Sequence, residues 1–179
     1  MIITFKPFDR DKNIGVHYNY CMNLLKPGDY GVFVDGDTQF LTYKYGNQLY
    51  DVTDRYPSIG VFTCYTNRVD CKWQILPNVD KDSNDILYHR TLAQIQEDSY
   101  YCKIKDITNL SSMSGVFMMI KKEFYDEMGS FPEEGMLGID NHLHKRVKEL
   151  NQKAYLIEGL YIYHYYRNNN REGHKHLLK

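Results

Sequence analysis

The chain has 179 residues, which suits one domain with a full core. Its 22 Lys and Arg against 23 Asp and Glu leave a net charge of −1, so charge gives no reason to expect nucleic acid or a lipid surface as the main partner. No apolar stretch approaches the length of a bilayer span. Nothing at the start resembles a signal peptide, and none of Cys21, Cys64, Cys71 and Cys102 has Cys-x-x-Cys spacing. The expectation is a cytoplasmic protein with reduced thiols and no transmembrane segment.

Ile2 to Phe5 reads as a first strand, closed by Lys6-Pro7-Phe8-Asp9. A polar turn from Arg10 to Gly15 leads into a helical period on Ile14, Tyr18, Cys21, Met22 and Leu25, stopped by Lys26-Pro27-Gly28-Asp29. Val32, Phe33 and Val34 form an apolar run expected to be a strand buried on both faces of a parallel sheet. A second helical period covers Leu41, Tyr45, Leu49, Val52 and Tyr56, and Pro57 ends it. Ile59 to Thr66 is a further strand. Asn67 to Asp85 is a long polar stretch carrying the single tryptophan, Trp73, which either stacks on a sugar or anchors the core.

Tyr88, Leu92 and Ile95 suggest a short helix, and Lys103 to Thr108 an edge strand. Gly115 to Ile120 is a buried strand, and Lys122 to Met128 a short helix closed by Gly129. After a loop at Phe131-Pro132-Glu133-Glu134-Gly135, the residues Ile139, Leu143, Val147 and Leu150 mark a helix face. Tyr155 to Ile157 and Leu160 to Tyr165 read as two strands split by Gly159. From Arg167 the tail is polar and basic, and His174 and His176 in it are expected to be solvated. Strands alternating with helices, with no repeat and no linker, predict a single α/β domain.

The stretch that carries chemistry is Asp35-Gly36-Asp37, directly after the apolar run. Asp-Gly is ordinary turn chemistry. At the carboxyl end of a buried strand, however, two alternating carboxylates sit where open α/β sheets bind ligands, and both can face one hard cation.

With the stretches around it, this motif resembles the family-2 type of glycosyltransferase with the nucleotide-diphospho-sugar transferase fold, GT-A. The likeness rests on Ile2 to Asp9, on Asn13-Ile14-Gly15 with Asn19 and Asn23, and on Gly28 through Asp37. It continues through Gly115 to Glu133, Gly138-Ile139-Asp140 and His164. The resemblance implies a mixed, mainly parallel sheet flanked by helices, truncated near the N-terminus. It divides the single domain into a donor and metal side (1–66), an acceptor side (67–165) and a basic tail (166–179). The family usually has a helix and a second strand before the Asn-x-Gly stretch. Here Asn13 follows Asp9 almost at once, leaving Asp9, Arg10 and Asp11 to take over part of the base contact.

The activity implied is transfer of a sugar from a nucleotide-diphosphate sugar to an acceptor hydroxyl, with inversion. Mn²⁺ or Mg²⁺ would be held by Asp37 as direct ligand, by Asp35, which also lies nearer the ribose, and by His164. Pro7, Asp9, Asn13, Gly15, Asp35 and Gly115 would shape the donor site, and Arg10 and Lys12 would meet the diphosphate. Asp140 would be the general base, a role compatible with its place at a helix start. Two rival readings are a nucleotidyltransferase, which would usually show a Gly-rich basic loop after the first strand, and a non-catalytic nucleotide-sugar or carbohydrate binder.

Overall fold

Residues 1–165 are described by the computed structural model; the basic tail, with His174 and His176, lies outside them. In chain order the elements are β1 (Ile2–Phe5), α1 (Ile14–Asn23), β2 (Tyr30–Val34), β3 (Thr38–Phe40), α2 (Tyr45–Arg55) and β4 (Val61–Thr66). A 3₁₀ turn (Lys72–Gln74) follows, then α3 (Ile86–Tyr100), β5 (Ile104–Asp106), β6 (Phe117–Lys121), α4 (Lys122–Met128), α5 (Ile139–Glu149) and β7 (Ala154–His164).

Alternation along the strands divides the core in two. Phe33, Met118, Ile120, Val61 and Leu156 point to one face, where α1, α4 and α5 cover them with Tyr18, Met22, Phe124, Leu143 and Val147. Val32, Val34, Met119, Phe62 and Ile157 point to the other, against Leu49 and Val52 of α2. Every residue of β2 and β4 is buried, which is why both read as near-continuous apolar runs.

The seven strands form one sheet in the order β1-β2-β6-β4-β7-β3, with β5 also on β7. β2 and β6 are neighbours, so the two apolar runs do lie side by side in one sheet. Only β1–β2 and β4–β7 pair in parallel; β2–β6, β4–β6, β3–β7 and β5–β7 are antiparallel. The sheet is mixed and flanked by helices, as expected, but the expectation that it is mainly parallel is corrected: four of these six pairings are antiparallel. A strand covered by helices on both faces shows the same apolar run whichever way it points, so β6 disguises its direction.

The path from β2 to β3 bends this sheet. In the strand order β3 is four places from β2, about 19 Å on a flat sheet at ~4.8 Å per strand. Yet only Asp35, Gly36 and Asp37 join Val34 to Thr38, a reach of at most about 14 Å. The far side of the sheet must curl over the carboxyl edge of β2. β7 supplies the bend: its register on β4 jumps from Cys64↔Ile157 to Tyr65↔Tyr161, a bulge that turns the strand.

That bulge corrects a second expectation, since Tyr155–Ile157 and Leu160–Tyr165 belong to one strand. Gly159 is a close approach rather than a break: a Cβ there would lie 2.4 Å from the Tyr101 carbonyl oxygen. α3 runs to 15 residues instead of a short helix. It buries His89, Ala93 and Glu97, which an apolar count misses. All four cysteines are free thiols. Among the described residues, no helix is long and apolar enough to cross a membrane.

Candidate metal centre and cleft

The curl brings three side chains to one place. β3 pairs with β7 so that Thr38 lies opposite His164, the last residue of β7. Asp37, one residue earlier, therefore sits beside that histidine, and its carbonyl accepts from the Tyr165 amide at 3.0 Å. The turn itself is fixed by Thr38, whose amide (3.2 Å) and hydroxyl (2.7 Å) both donate to the Asp35 carbonyl.

His164 Nε2 lies 3.2 Å from an Asp37 carboxylate oxygen and 3.8 Å from one of Asp35. One donor atom from each of the three residues falls within 4.8 Å of the others. Adjacent ligands of an octahedral cation with bonds of ~2.1 Å stand about 3 Å apart; the His164–Asp37 separation is close to that and the His164–Asp35 separation is longer.

The ring orientation strengthens that fit. His164 Nδ1 is 2.7 Å from the Arg68 carbonyl, which can only accept, so the proton is on Nδ1. A neutral ring then turns the Nε2 lone pair toward the two carboxylates. Lone pairs facing one another need a cation between them or a second proton on the ring. A ligand histidine tied through its other nitrogen to a carbonyl is the usual arrangement at metal sites. The His164 amide is also held, donating to Asn67 Oδ1 at 2.8 Å.

Asp140 opens the first turn of α5 after Gly138, whose φ of 96° is left-handed. One carboxylate oxygen accepts from the Gly115 amide at 2.9 Å and the other from Asn141 at 2.8 Å. A Cβ at Gly115 would make an ordinary van der Waals contact with the Asp140 side chain, at 3.4 Å. Burial raises the Asp140 carboxyl above its ordinary range, against the pull of those two amides.

Asp35, Asp37, Asp140 and His164 share the walls of a cleft of about 390 Å³ at the carboxyl edge of β1 and β2. Half of the Asp35 side chain still reaches solvent, yet the cleft walls displace enough water to push its carboxyl up to about 6. His164 opposes that rise, and Asp37 and Asp140 add to it. The Tyr18 phenol, also in the wall, is held neutral far above the usual range, by burial first and then by Asp35 and Asp140.

Of the residues expected at the donor, Pro7, Asp35 and Gly115 line the cleft, whereas Asp9, Arg10, Lys12, Asn13 and Gly15 do not. Asp9 ties its own turn to α1, with one oxygen 3.1 Å from His17 and the other accepting from the Asp11 amide. Asn13 and Gly15 serve the loop after α4. Asn13 accepts from the Gly135 amide at 3.4 Å, and a Cβ on Gly15 would fall 1.7 Å from the Pro132 carbonyl oxygen. Trp73 packs against the core and donates its indole N–H to the Ser112 carbonyl at 2.9 Å, so it anchors the loop rather than offering a free ring.

Sequence reasoning missed Asn67 and Arg68, which orient His164 largely through a side-chain amide and a backbone carbonyl. It also missed Ser114, which lines the cleft next to Gly115. Compared with protein-family models and with curated proteins, the chain matches none.

Proposed function

We propose that the protein is a metal-dependent glycosyltransferase of the GT-A type. It would move a sugar from a nucleotide-diphosphate sugar to an acceptor hydroxyl, with inversion. The observation that carries this reading is the convergence of Asp35, Asp37 and His164 on the wall of a cleft that also holds Asp140. Mn²⁺ suits this mixed carboxylate and imidazole set better than Mg²⁺, which favours oxygen ligands. The cation, when bound, neutralises the charge that grows on the departing diphosphate.

The remaining work falls to the chain. Asp37 and Asp35 would hold the cation from the turn after β2, and the Arg68 carbonyl orients the His164 ring so that Nε2 faces the two carboxylates. Gly36 adds no side chain to the turn, and beyond its chain neighbours nothing stands within 4 Å of where a Cβ would be, so a phosphate can approach the backbone beside Lys6, whose ammonium lies 3.4 Å from the Gly36 carbonyl oxygen. Asp140 is the base for the acceptor hydroxyl. Its carboxylate has about four lone-pair sites and two are taken by amides, so it can still accept a proton. A carboxyl raised by burial is a better base than an ordinary one.

Asp140→Asn tests this reading. The variant keeps the shape but turns an NH₂ group toward one backbone N–H, so a stability loss of about 1–2 kcal/mol is expected. Donor affinity should stay near the parent value, while turnover per folded molecule falls ~100-fold or more. Unchanged turnover would remove Asp140 as base. A donor that binds but is never consumed, across a broad donor and acceptor panel, would favour the non-catalytic binder.

A further inference from the structure

A second depression, of about 340 Å³, shares part of its wall with the cleft. Asp35, Ser114, Asp140 and His164 line both spaces. Its own surfaces are polar at Asp70, Ser112 and Asn141 and apolar at Val69 and Met113. Asp35, Asp70 and Asp140 give it three carboxylates, and no described Lys or Arg lines it.

Its wall is built rather than incidental. The Lys72–Gln74 turn grips the 112–114 segment from behind. Trp73 donates to the Ser112 carbonyl at 2.9 Å. Gln74 clasps Ser114 from both sides, accepting from its amide at 2.6 Å and donating to its carbonyl at 3.3 Å. Gln74 is itself fully buried and held to Thr63 at 2.9 Å. The long polar stretch after β4 thus fixes the shape of this space.

We propose that this depression receives the acceptor, and that the acceptor is an uncharged polyhydroxyl group, a glycan or polyol end without phosphate or carboxylate. The assignment rests on the glycosyl-transfer reading above. Carboxylate, hydroxyl and amide side chains match sugar hydroxyls, and the half-buried Val69 offers surface to a C–H face. A cation held by Asp35 and Asp37 would leave Asp70 and Asp140 as the remaining carboxylates of this wall, with no described Lys or Arg among its lining residues, so an anionic acceptor meets like charge. Asp140 in the shared wall puts the base beside a hydroxyl seated here.

The test is binding, which needs no turnover. The full chain, with Mn²⁺ replaced by diamagnetic Mg²⁺, is titrated with a panel of neutral methyl hexosides and their matched methyl uronides, following backbone amide shifts. At least one hexoside should move the amides of Asp70, Ser112 and Asn141, with its uronide at least tenfold weaker. Asp70→Lys, on an exposed loop, should narrow that gap about tenfold, its other amides serving as the control for folding. Equal or tighter uronide binding, or no hexoside moving these amides, would overturn the proposal. Failure of the transfer reading looks different: sugars bind here, but no donor is consumed.

Discussion

His164 has two ring nitrogens with separate duties. One is committed to the Arg68 carbonyl, and the other faces Asp35 and Asp37. Asn67 holds the same residue by its amide, so Asn67→Ala would orphan a buried N–H. A loss of roughly 1–3 kcal/mol in chemical denaturation is expected, together with weaker Mn²⁺ binding. Asp35 predicts a pH effect. Its folded carboxyl is raised to about 6 from an ordinary 3.8, so the native state binds the extra proton between those values. This group's contribution to the stability of the metal-free protein therefore falls as pH rises from 4 to 6, and Asp35→Asn should remove that slope and melt higher at pH 7. Mn²⁺ competes with the same proton, so its affinity should fall by up to about tenfold per pH unit below about 6. Calorimetry from pH 4.5 to 7.5 reads both; a flat profile in the parent would reject the assignment. The Asp35-Gly36-Asp37 turn stood out in the sequence because two alternating carboxylates follow an apolar strand run, although Asp-Gly is also ordinary turn chemistry. Asn67 and Arg68 were not, because backbone carbonyls and amides are carried by every residue and leave no mark in a sequence.

Among the elements, α1 positions a loop as much as it covers the sheet. Asn19, 6% exposed, donates to the Phe131 carbonyl at 3.0 Å and accepts from the Phe131 amide at 2.8 Å and the Tyr125 hydroxyl at 3.1 Å. Gly15 lets that loop lie directly on the helix. The loop runs on into Met136 to Ile139, a wall of the cleft, and then into α5 with Asp140. Asn19→Leu keeps the volume but strands several buried groups, and should cost on the order of 3 kcal/mol. Gly15→Ala should cost about 1–3 kcal/mol by overpacking and should also lower turnover, since it pushes the loop outward. Equal stability of either variant in urea would show that the loop is not clamped there. The strong periods of α1, α2 and α5 were readable because each buries an apolar stripe. β3 was not: three residues are too short to show a period, and its partner lies more than 120 residues away in the chain. β7 was split in the reading because Glu158-Gly159 looks like a turn. The bulge there is instead held by the Glu158 amide on the Lys103 carbonyl at 2.8 Å, a contact only the fold creates.

At the scale of the whole molecule, a mixed sheet curls so that the end of β7 meets the end of β2, and the cleft forms where they meet. The α/β class followed from strands alternating with helices. Strand direction did not, because a strand covered on both faces shows the same apolar run either way, and the curl did not, because it depends on how far three turn residues can reach. The cleft lining contains Asp35, Asp37 and Asp140, and no described Lys or Arg. A nucleotide diphosphate entering that lining without a cation would meet like charge from these three carboxylates, with Lys6, 3.4 Å from the Gly36 and Thr38 carbonyl oxygens, as the nearby side-chain cation. The most direct measurement is therefore the affinity of a nucleoside-diphosphate sugar panel by calorimetry, in Mn²⁺ and in chelator, for the parent and for Asp37→Ala. Saturable binding in Mn²⁺, lost in chelator and lost in a folded Asp37→Ala protein, is the predicted result. Equal affinity in Mn²⁺ and chelator, or a folded Asp37→Ala protein that keeps its metal dependence, would contradict it.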